Sequence, residues 1–242
     1  WADTHAEPSG KVLRERLDEK AYHARTGAFF HPVYHPARLL GLQQTPGYGE
    51  IRTWVSLGEY LHLKLFGRAV ASVSMASATG LLDVHACDWD GPTLEALGLT
   101  PKSFSPLGEV ALTGLREPYA SRWPALKNLP WFPPVGDGGC NNLGSGCSGK
   151  DRIGVMVGTS GAMRVSWPAE KWEIPWGLWG YRIDRKRVVL GGALNDGGNL
   201  VEWCRATLKL GAPEEVEREL ASMEPDGHGL TFLPFLAGER SP

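Results

Sequence analysis

The chain has 242 residues, which at roughly 150 residues per domain predicts one large domain or two smaller ones. With 42% apolar and 21% charged residues, the composition allows a buried core and excludes wholesale disorder. The 25 lysines and arginines nearly balance the 27 aspartates and glutamates. The resulting formal charge of −2 lacks the basic character that nucleic-acid binding needs, so we expect no nucleic-acid partner.

Signals for membranes, disulfides and zinc are also missing from the sequence. No stretch approaches about eighteen consecutive apolar residues, and the first residues lack a secretory pattern. The four cysteines are few and irregularly spaced, and prolines interrupt the H-x-x-x-H pair of His31 and His35 that would otherwise suggest zinc on a helix. We therefore expect a cytoplasmic protein with no membrane partner.

The first half of the chain is predicted to be mainly helical. Apolar residues recur there at helical spacing, and helix-start and helix-stop signals flank them. The predicted helices cover residues 11–25 between an N-cap at Ser9 and a stop at Gly27, the segment from the Ser56–Glu59 capping box to Gly67, and residues 93–97.

The pattern changes near residue 129, where LPWFPPVGDGG combines prolines and glycines in a segment predicted to be extended. We place the domain boundary here, with residues 1–132 in the first domain and residues 133–242 in the second. The elements predicted beyond it are strands at 152–157, 162–167, 180–184 and 187–191, a helix of about thirteen residues, a helix from Pro213 that buries Val216 and Leu220, and a last strand at TFLPFL.

Two glycine-rich loops compete for the role of a phosphate-binding loop. GSGCSGKD at 144–151 matches the P-loop pattern except that Asp151 replaces the hydroxyl residue. It also runs into a strand, whereas a P-loop opens a helix, so we predict a simple turn there. GTSG at 158–161 is the other candidate, because its glycines allow close backbone approach and its hydroxyls can donate. A plain hairpin turn and a hydrolase elbow around Ser160 are the alternatives for GTSG.

Asp137 is the candidate catalytic carboxylate. It follows the apolar extended segment at the proposed domain boundary, where clefts usually form. The flanking Gly136, Gly138 and Gly139 are predicted to leave it accessible. An ordinary turn aspartate is the alternative.

The order of several segments resembles that of the FGGY family of carbohydrate kinases. The most specific stretch is residues 54–83, which reproduces the family's helix, its L-x-G ending and the S-x-A-S-x-TGL-x-D signature. Six further segments match in the family's order: WADTHA, TGAFFHPVYHPARLLGL, VGDGGCNNLGSGC, GTSGAMR, GGALNDGGN and FLPFLAGERSP. The last two, together with WADT, are most similar to the gluconate kinase branch.

The sequence departs from the family's pattern at three positions and at both ends. His5 replaces the arginine that follows WADT, Arg38 replaces the lysine of KLLWL, and Gly41 replaces its tryptophan. Members that resemble this chain begin with a strand that carries a first phosphate loop and finish with a glycine-rich adenine-binding segment. Because the chain starts at Trp1 and stops at Pro242 without either, we expect a fragment with little activity on its own.

The resemblance implies an α/β fold of two ribonuclease H-like lobes, as in actin-like ATPases, incomplete at both ends. Residues 1–132 would be the remainder of the N-terminal sugar-binding lobe, and residues 133–242 the start of the C-terminal nucleotide-binding lobe. The implied activity is ATP-dependent phosphorylation of a sugar or sugar-acid hydroxyl, gluconate-like, with a homodimer left open. The alternatives are a xylulose or other polyol or ketose kinase of the same family, and a catalytically silent fragment. An actin-like ATPase without sugar chemistry is disfavoured by the sugar-side segments.

The resemblance also implies roles for individual residues. Asp137 would accept the proton of the attacking hydroxyl. The phosphates of ATP would be held by Gly158, Thr159, Ser160, Gly161, Gly197 and Gly198, the last two because they open a helix whose N-terminus favours phosphate. The sugar would be bound by Trp1 and Asp3. Magnesium would bridge the phosphates, with its protein ligands left unassigned.

Overall fold

Ten α-helices and six strands make up the part of the chain that the structure describes, residues 5–233 and residue 235 of a computed structural model. The α-helices are α1 (Glu7–Arg16), α2 (Glu19–Thr26), α3 (His35–Leu42), α4 (Leu57–Phe66), α5 (Val73–Ala78), α6 (Gly91–Ala96), α7 (Tyr119–Arg122), α8 (Asp137–Gly144), α9 (Gly198–Leu208) and α10 (Pro213–Ser222). Short 3-10 helices lie at Tyr48–Glu50, Pro101–Ser103 and Pro124–Leu126. In this part of the chain no helix is long and apolar enough to cross a membrane.

The strands form two sheets. They are β1 (Leu82–Asp83), β2 (Asp88–Trp89), β3 (Gly154–Val157), β4 (Gly161–Pro168), β5 (Trp179–Arg182) and β6 (Arg187–Leu194). Strands β1 and β2 pair antiparallel, and the larger sheet has the order β3-β4-β6-β5. In the β5–β6 pair, Tyr181 lies opposite Val189 and Arg182 opposite Val188.

The described residues divide into two compact units. Unit 1 falls within Trp1–Gly154 and Arg164–Gly191, and unit 2 falls within Val155–Met163 and Gly192–Pro242. Asp137 belongs to unit 1, whereas the GTSG loop belongs to unit 2. The domain boundary at residue 132 stays a prediction.

The prediction of one continuous helix over residues 11–25 is wrong, because two helices, α1 and α2, cover this region. Leu17 is extended, and the Asp18 carboxylate accepts a hydrogen bond of 2.7 Å from the Ala21 N–H, which starts α2 anew. Ser9 lies inside α1 and is not its N-cap. The stop at Gly27 is confirmed, because this residue adopts the left-handed conformation and donates to the carbonyl of His23.

The main core of unit 1 joins helices α1 to α3 to α6 and to Leu81, at the end of the α5 region (residues 73–81). Tyr22 stacks on Phe30 with ring centroids 4.4 Å apart, and its hydroxyl donates to the Gly80 carbonyl at 2.9 Å. Burial raises the pKa of Tyr22, so the hydroxyl stays protonated. Nearby, the guanidinium of Arg25 lies 2.6 Å from the buried carboxylate of Asp90, which also caps α6. These contacts fix the α5 region, which adjoins the candidate site.

Helix α4 confirms its predicted ends. Ser56 and Glu59 form the capping box, and Gly67 adopts the left-handed conformation at the C-terminus. Its apolar side chains do not all face a core, since Leu57 is 76% exposed and Leu61 is 50% exposed.

The second half confirms four strands and two helices and corrects three details. The segment before Gly136 is extended as predicted, but Asp137 begins helix α8, because an acidic side chain at the first position favours a helix N-terminus. In α10, Val216 is half-buried and Leu220 is 58% exposed, so the predicted buried side is wrong. Residues 231–233, the described start of TFLPFL, form no strand. Proline inside that segment removes a ladder donor.

Candidate active site

Asp137 is the first residue of α8, and its side chain is exposed. Its Oδ1 accepts a hydrogen bond of 2.7 Å from the N–H of Gly138. The carboxylate therefore lies at the positive end of the helix dipole. An exposed carboxylate with one oxygen held by the backbone has its other oxygen available to accept a substrate proton.

The glycines that follow Asp137 serve packing. Both Gly138 and Gly139 are buried, against residues of β5, β4 and the segment that follows β5. A Cβ at Gly138 would meet the Tyr181 hydroxyl and would lie 3.2 Å from Nε of Arg164. A Cβ at Gly139 would lie 3.0 Å from Ile183. The glycines thus allow the start of α8 to approach β5 closely. The sequence analysis predicted only that they leave Asp137 accessible.

Tyr181 lies directly under the start of α8. Its hydroxyl packs against the backbone at Gly138, the second residue of that helix. Burial, with a smaller contribution from the negative charge of Asp137, raises the pKa of Tyr181 to about 12, while Arg164 acts in the opposite direction. The phenol is therefore neutral at physiological pH. The Arg164 guanidinium lies over the ring of Trp179, 5.8 Å from its centroid.

The serines of the S-x-A-S signature connect α5 to the two elements beside Asp137. Ser74 Oγ accepts a hydrogen bond of 3.0 Å from the N–H of Gly136, the residue before α8. Ser77 Oγ accepts one of 3.0 Å from the N–H of Arg182 in β5. The signature thus supports the start of α8 and the strand behind it at the same time.

In unit 2 the structure brings together six of the residues predicted to hold phosphate. The N–H of Gly198 donates to the Gly158 carbonyl at 2.6 Å, and the next N–H of α9 donates to the Thr159 carbonyl at 3.3 Å. A Cβ at Gly197 would lie 2.7 Å from the backbone of Ser160. The loop at residues 158–161 and the start of α9 therefore pack backbone against backbone. Contact of these groups with phosphate stays a prediction.

Two polar residues beside this loop were missed by the sequence analysis. Asn199 Oδ1 accepts from the N–H of Gly197 at 2.6 Å, and its amide nitrogen donates to Oδ1 of Asp196 at 2.7 Å. Asp196 is 7% exposed, and within the described part of the chain its Oδ2 has no hydrogen-bond partner. The polar run N-D-G-G-N before a helix was the available signal, because Asp and Asn favour helix starts.

The candidate sugar residues Trp1 and Asp3 lie outside the described residues. The three residues that depart from the family's motifs lie within the described part of the chain and close to one another. His5, Arg38 and Gly41 all line one cavity of about 410 Å³ in unit 1. The differences from the family pattern are therefore concentrated at a single place in this unit.

Comparison with known proteins decides the family. The family model described as "FGGY family of carbohydrate kinases, N-terminal domain" matches residues 1–139. The chain belongs to the FGGY family of carbohydrate kinases. A gluconokinase from Bacillus subtilis (strain 168) is 29% identical over 260 residues, and the alignment covers 100% of this chain and 50% of that FGGY kinase.

Solved structures of FGGY kinases share the fold. A ligand-bound xylulose kinase from Lactobacillus acidophilus matches with a TM-score of 0.89 and 25% identity over 100% of this chain and 50% of that one. A gluconate kinase from Lactobacillus acidophilus matches with a TM-score of 0.88 and 24% identity over the same shares. The predicted actin-like ATPase fold is thereby confirmed, and the chain spans about half the length of the relatives it matches.

Replacement of Gly198 by alanine is expected to weaken ATP binding about 5-fold or more. The added methyl group would lie 2.8 Å from the Gly158 carbonyl oxygen, so the loop must move away from α9. Overpacking of this kind costs about 1 to 3 kcal/mol, which corresponds to that loss of affinity. Calorimetric titration of the complete protein with ATP measures the effect. Gly144→Ala, where nothing lies within 4 Å of the added methyl, is the control, and equal affinities in the two variants would contradict the prediction.

Proposed function

We propose that the whole protein transfers the γ-phosphoryl group of ATP to a hydroxyl of a sugar or sugar acid, and that its substrate is gluconate-like. The observation that carries the proposal is the exposed carboxylate of Asp137 at the start of α8, inside the VGDGG segment that matches the FGGY kinases. The alignment of the whole chain with a gluconokinase supports the substrate class.

The proposed reaction requires no covalent bond between the protein and the transferred phosphoryl group. Phosphoryl transfer passes through a loose transition state, so catalysis depends on alignment and on stabilisation of charge. The substrate oxygen forms a bond to the γ-phosphorus, the bond from that phosphorus to the ADP oxygen breaks, and the hydroxyl proton passes to the carboxylate of Asp137. Because Oδ1 is held by the N–H of Gly138, the second carboxylate oxygen is the proton acceptor.

The loop at residues 158–161 and the start of α9, both in unit 2, fit the phosphates of ATP. Gly158 and Thr159 of the loop are exposed, the loop carries N–H and hydroxyl donors, and glycines occur where a Cβ would meet backbone. Among residues 5–233 and 235, no three His, Cys, Asp or Glu side chains could hold a metal ion together. The free state of all four cysteines supports the reducing cytoplasm as the place of this reaction.

A xylulose kinase is the second candidate. The structural match to a xylulose kinase is as good as the match to a gluconate kinase, so the fold does not separate the two sugars. His5, Arg38 and Gly41, the three residues that depart from the family's motifs, line one cavity in unit 1.

ADP release by the complete gene product, with gluconate or xylulose or without sugar, tests the proposal. We expect gluconate to raise the rate most, and we expect residues 1–242 in a parallel assay to show little turnover. Faster turnover of xylulose would replace the proposed substrate. The absence of any sugar-dependent ADP release from the folded complete protein would overturn the kinase proposal itself.

A further inference from the structure

The helix turn that carries Asp137 has little means of holding its own shape. Glycine occupies positions 136, 138 and 139, and glycine is a poor helix former because it gives the backbone the greatest freedom. The residue before α8 is Gly136, so it has no side chain that could cap the helix. The N–H groups at a helix start need acceptors from elsewhere in such a case.

Two other elements of unit 1 support this turn. Ser74 on α5 accepts a hydrogen bond of 3.0 Å from the N–H of Gly136, and the Tyr181 hydroxyl on β5 packs against the backbone at Gly138. These two contacts bracket Asp137, one on each side. The position of the carboxylate therefore depends on side chains that are distant in sequence.

The Tyr181 side chain is itself firmly held. Its ring stacks on Trp179 with centroids 5.5 Å apart and an interplanar angle of 19°, and its backbone pairs with Val189 across the sheet. The hydroxyl lies where a Cβ of Gly138 would be, so it touches the backbone of α8 directly. A rigid phenol in contact with the first helical turn restricts how that turn can move.

We propose that Tyr181 is a positioning residue, which fixes the first turn of α8 so that the Asp137 carboxylate stays aimed at the substrate hydroxyl. This inference rests on the proposed kinase function. Ser74 acts in the same way from the other side of Asp137. The charged or titratable groups nearest the phenol are Arg164 from β4 and Asp137 and Cys140 from α8.

Tyr181→Phe in the complete protein removes the hydroxyl that contacts α8 and keeps the ring. We expect kcat to fall about 10-fold, because small displacements of a catalytic group are costly, while KM for ATP and for gluconate stays within about 2-fold. Tyr60→Phe is the matched control, since Tyr60 is 44% exposed on α4, and its kcat should not change. Ser74→Ala should lower kcat in the same manner. An unchanged kcat in Tyr181→Phe, or a loss no larger than the fraction of unfolded protein, would overturn the proposal.

A compensating pair tests the contact itself. Gly138→Ala should reduce kcat, because the new methyl group meets the Tyr181 hydroxyl. Adding Tyr181→Phe removes that oxygen, so the double variant should be more active than Gly138→Ala alone. A double variant that is no more active would contradict the contact on which the inference depends.

Amide hydrogen exchange separates failure of this inference from failure of the proposed function. The N–H groups in the first turn of α8 should exchange at least about 10-fold faster in Tyr181→Phe than in the parent, because the contact that holds this turn is lost, whether or not the protein is a kinase. Unchanged exchange would overturn the positioning role even in an active enzyme. Faster exchange in a protein without sugar-dependent ADP release would support the contact and reject the kinase function.

Discussion

Replacement of Asp137 by asparagine is expected to lower kcat for gluconate phosphorylation by roughly 10²- to 10⁴-fold. The amide cannot take up the hydroxyl proton, whereas its oxygen can still accept the 2.7 Å hydrogen bond from the N–H of Gly138. The fold and the KM values of both substrates should therefore change little. Initial rates of ADP release by the complete protein, at saturating ATP and varied gluconate, measure both parameters.

Asp151→Asn is the matched control for this substitution. Asp151 lies in the P-loop-like segment between α8 and β3, and it is 78% exposed with only a long ion pair to Arg152 at 3.7 Å. Exposed pairs of this kind contribute little, so kcat should be unchanged. If Asp137→Asn kept more than a tenth of the parental kcat, the base would have to be another group. An equal loss in Asp151→Asn would instead revive the P-loop hypothesis for residues 144–151.

The signals that were local in sequence predicted the structure well. The capping box at Ser56 and the stop at Gly27 each depend on residues within one helical turn, so spacing alone identifies them. The buried face of α4 was not predictable in this way. Glu59 and His62 are each 6% exposed while Leu57 is 76% exposed, because burial depends on what packs against the helix.

One local signal was available and was overlooked. Asp18 lies within the periodic stretch 11–25, and an aspartate three residues before the amide it caps is typical of a helix start. The apolar period continues through Leu17, which hid the break. Periodicity reports which residues share a face, whereas capping residues report where the backbone hydrogen bonds begin.

The candidate site likewise combines a feature that short-range sequence signals predict with contacts that depend on the tertiary fold. Asp137 could be chosen as a candidate from its motif, but the side chains that contact the start of α8 could not be predicted. Ser74 lies 62 residues before the N–H that it binds, and Tyr181 reaches α8 from a strand. Arg182 next to it is only 2% exposed and donates to the Val84 carbonyl at 2.6 Å, although an arginine in a strand is ordinarily expected to be exposed. Such partners follow from the tertiary fold and leave no short-range pattern.

Gly27→Ala is expected to destabilise the chain by about 4 kcal/mol. Gly27 has a φ of +68°, and the left-handed conformation costs a residue with a Cβ about 1 to 2 kcal/mol. The added methyl group would also overlap the carbonyl of Gly180, where β5 begins, and lie 3.1 Å from its nitrogen. Overpacking against backbone adds about 1 to 3 kcal/mol, because backbone cannot rotate away as a side chain can. Urea unfolding followed by far-UV circular dichroism measures the change.

Gly98→Ala separates the two contributions. Gly98 also has a positive φ, of +64°, but nothing lies within 4 Å of its added methyl group, so only the conformational cost of about 1 to 2 kcal/mol should appear. Similar losses of stability in both variants would show that the contact with Gly180 does not matter. That contact is one of several between the end of α2 and the β5 region. The Gly180 N–H donates to the Gly27 carbonyl at 3.1 Å, and His23 Nε2 donates to the Leu178 carbonyl at 2.7 Å. Because β5 carries Tyr181, Gly27→Ala should also reduce the activity of whatever protein remains folded, whereas Gly98→Ala should not.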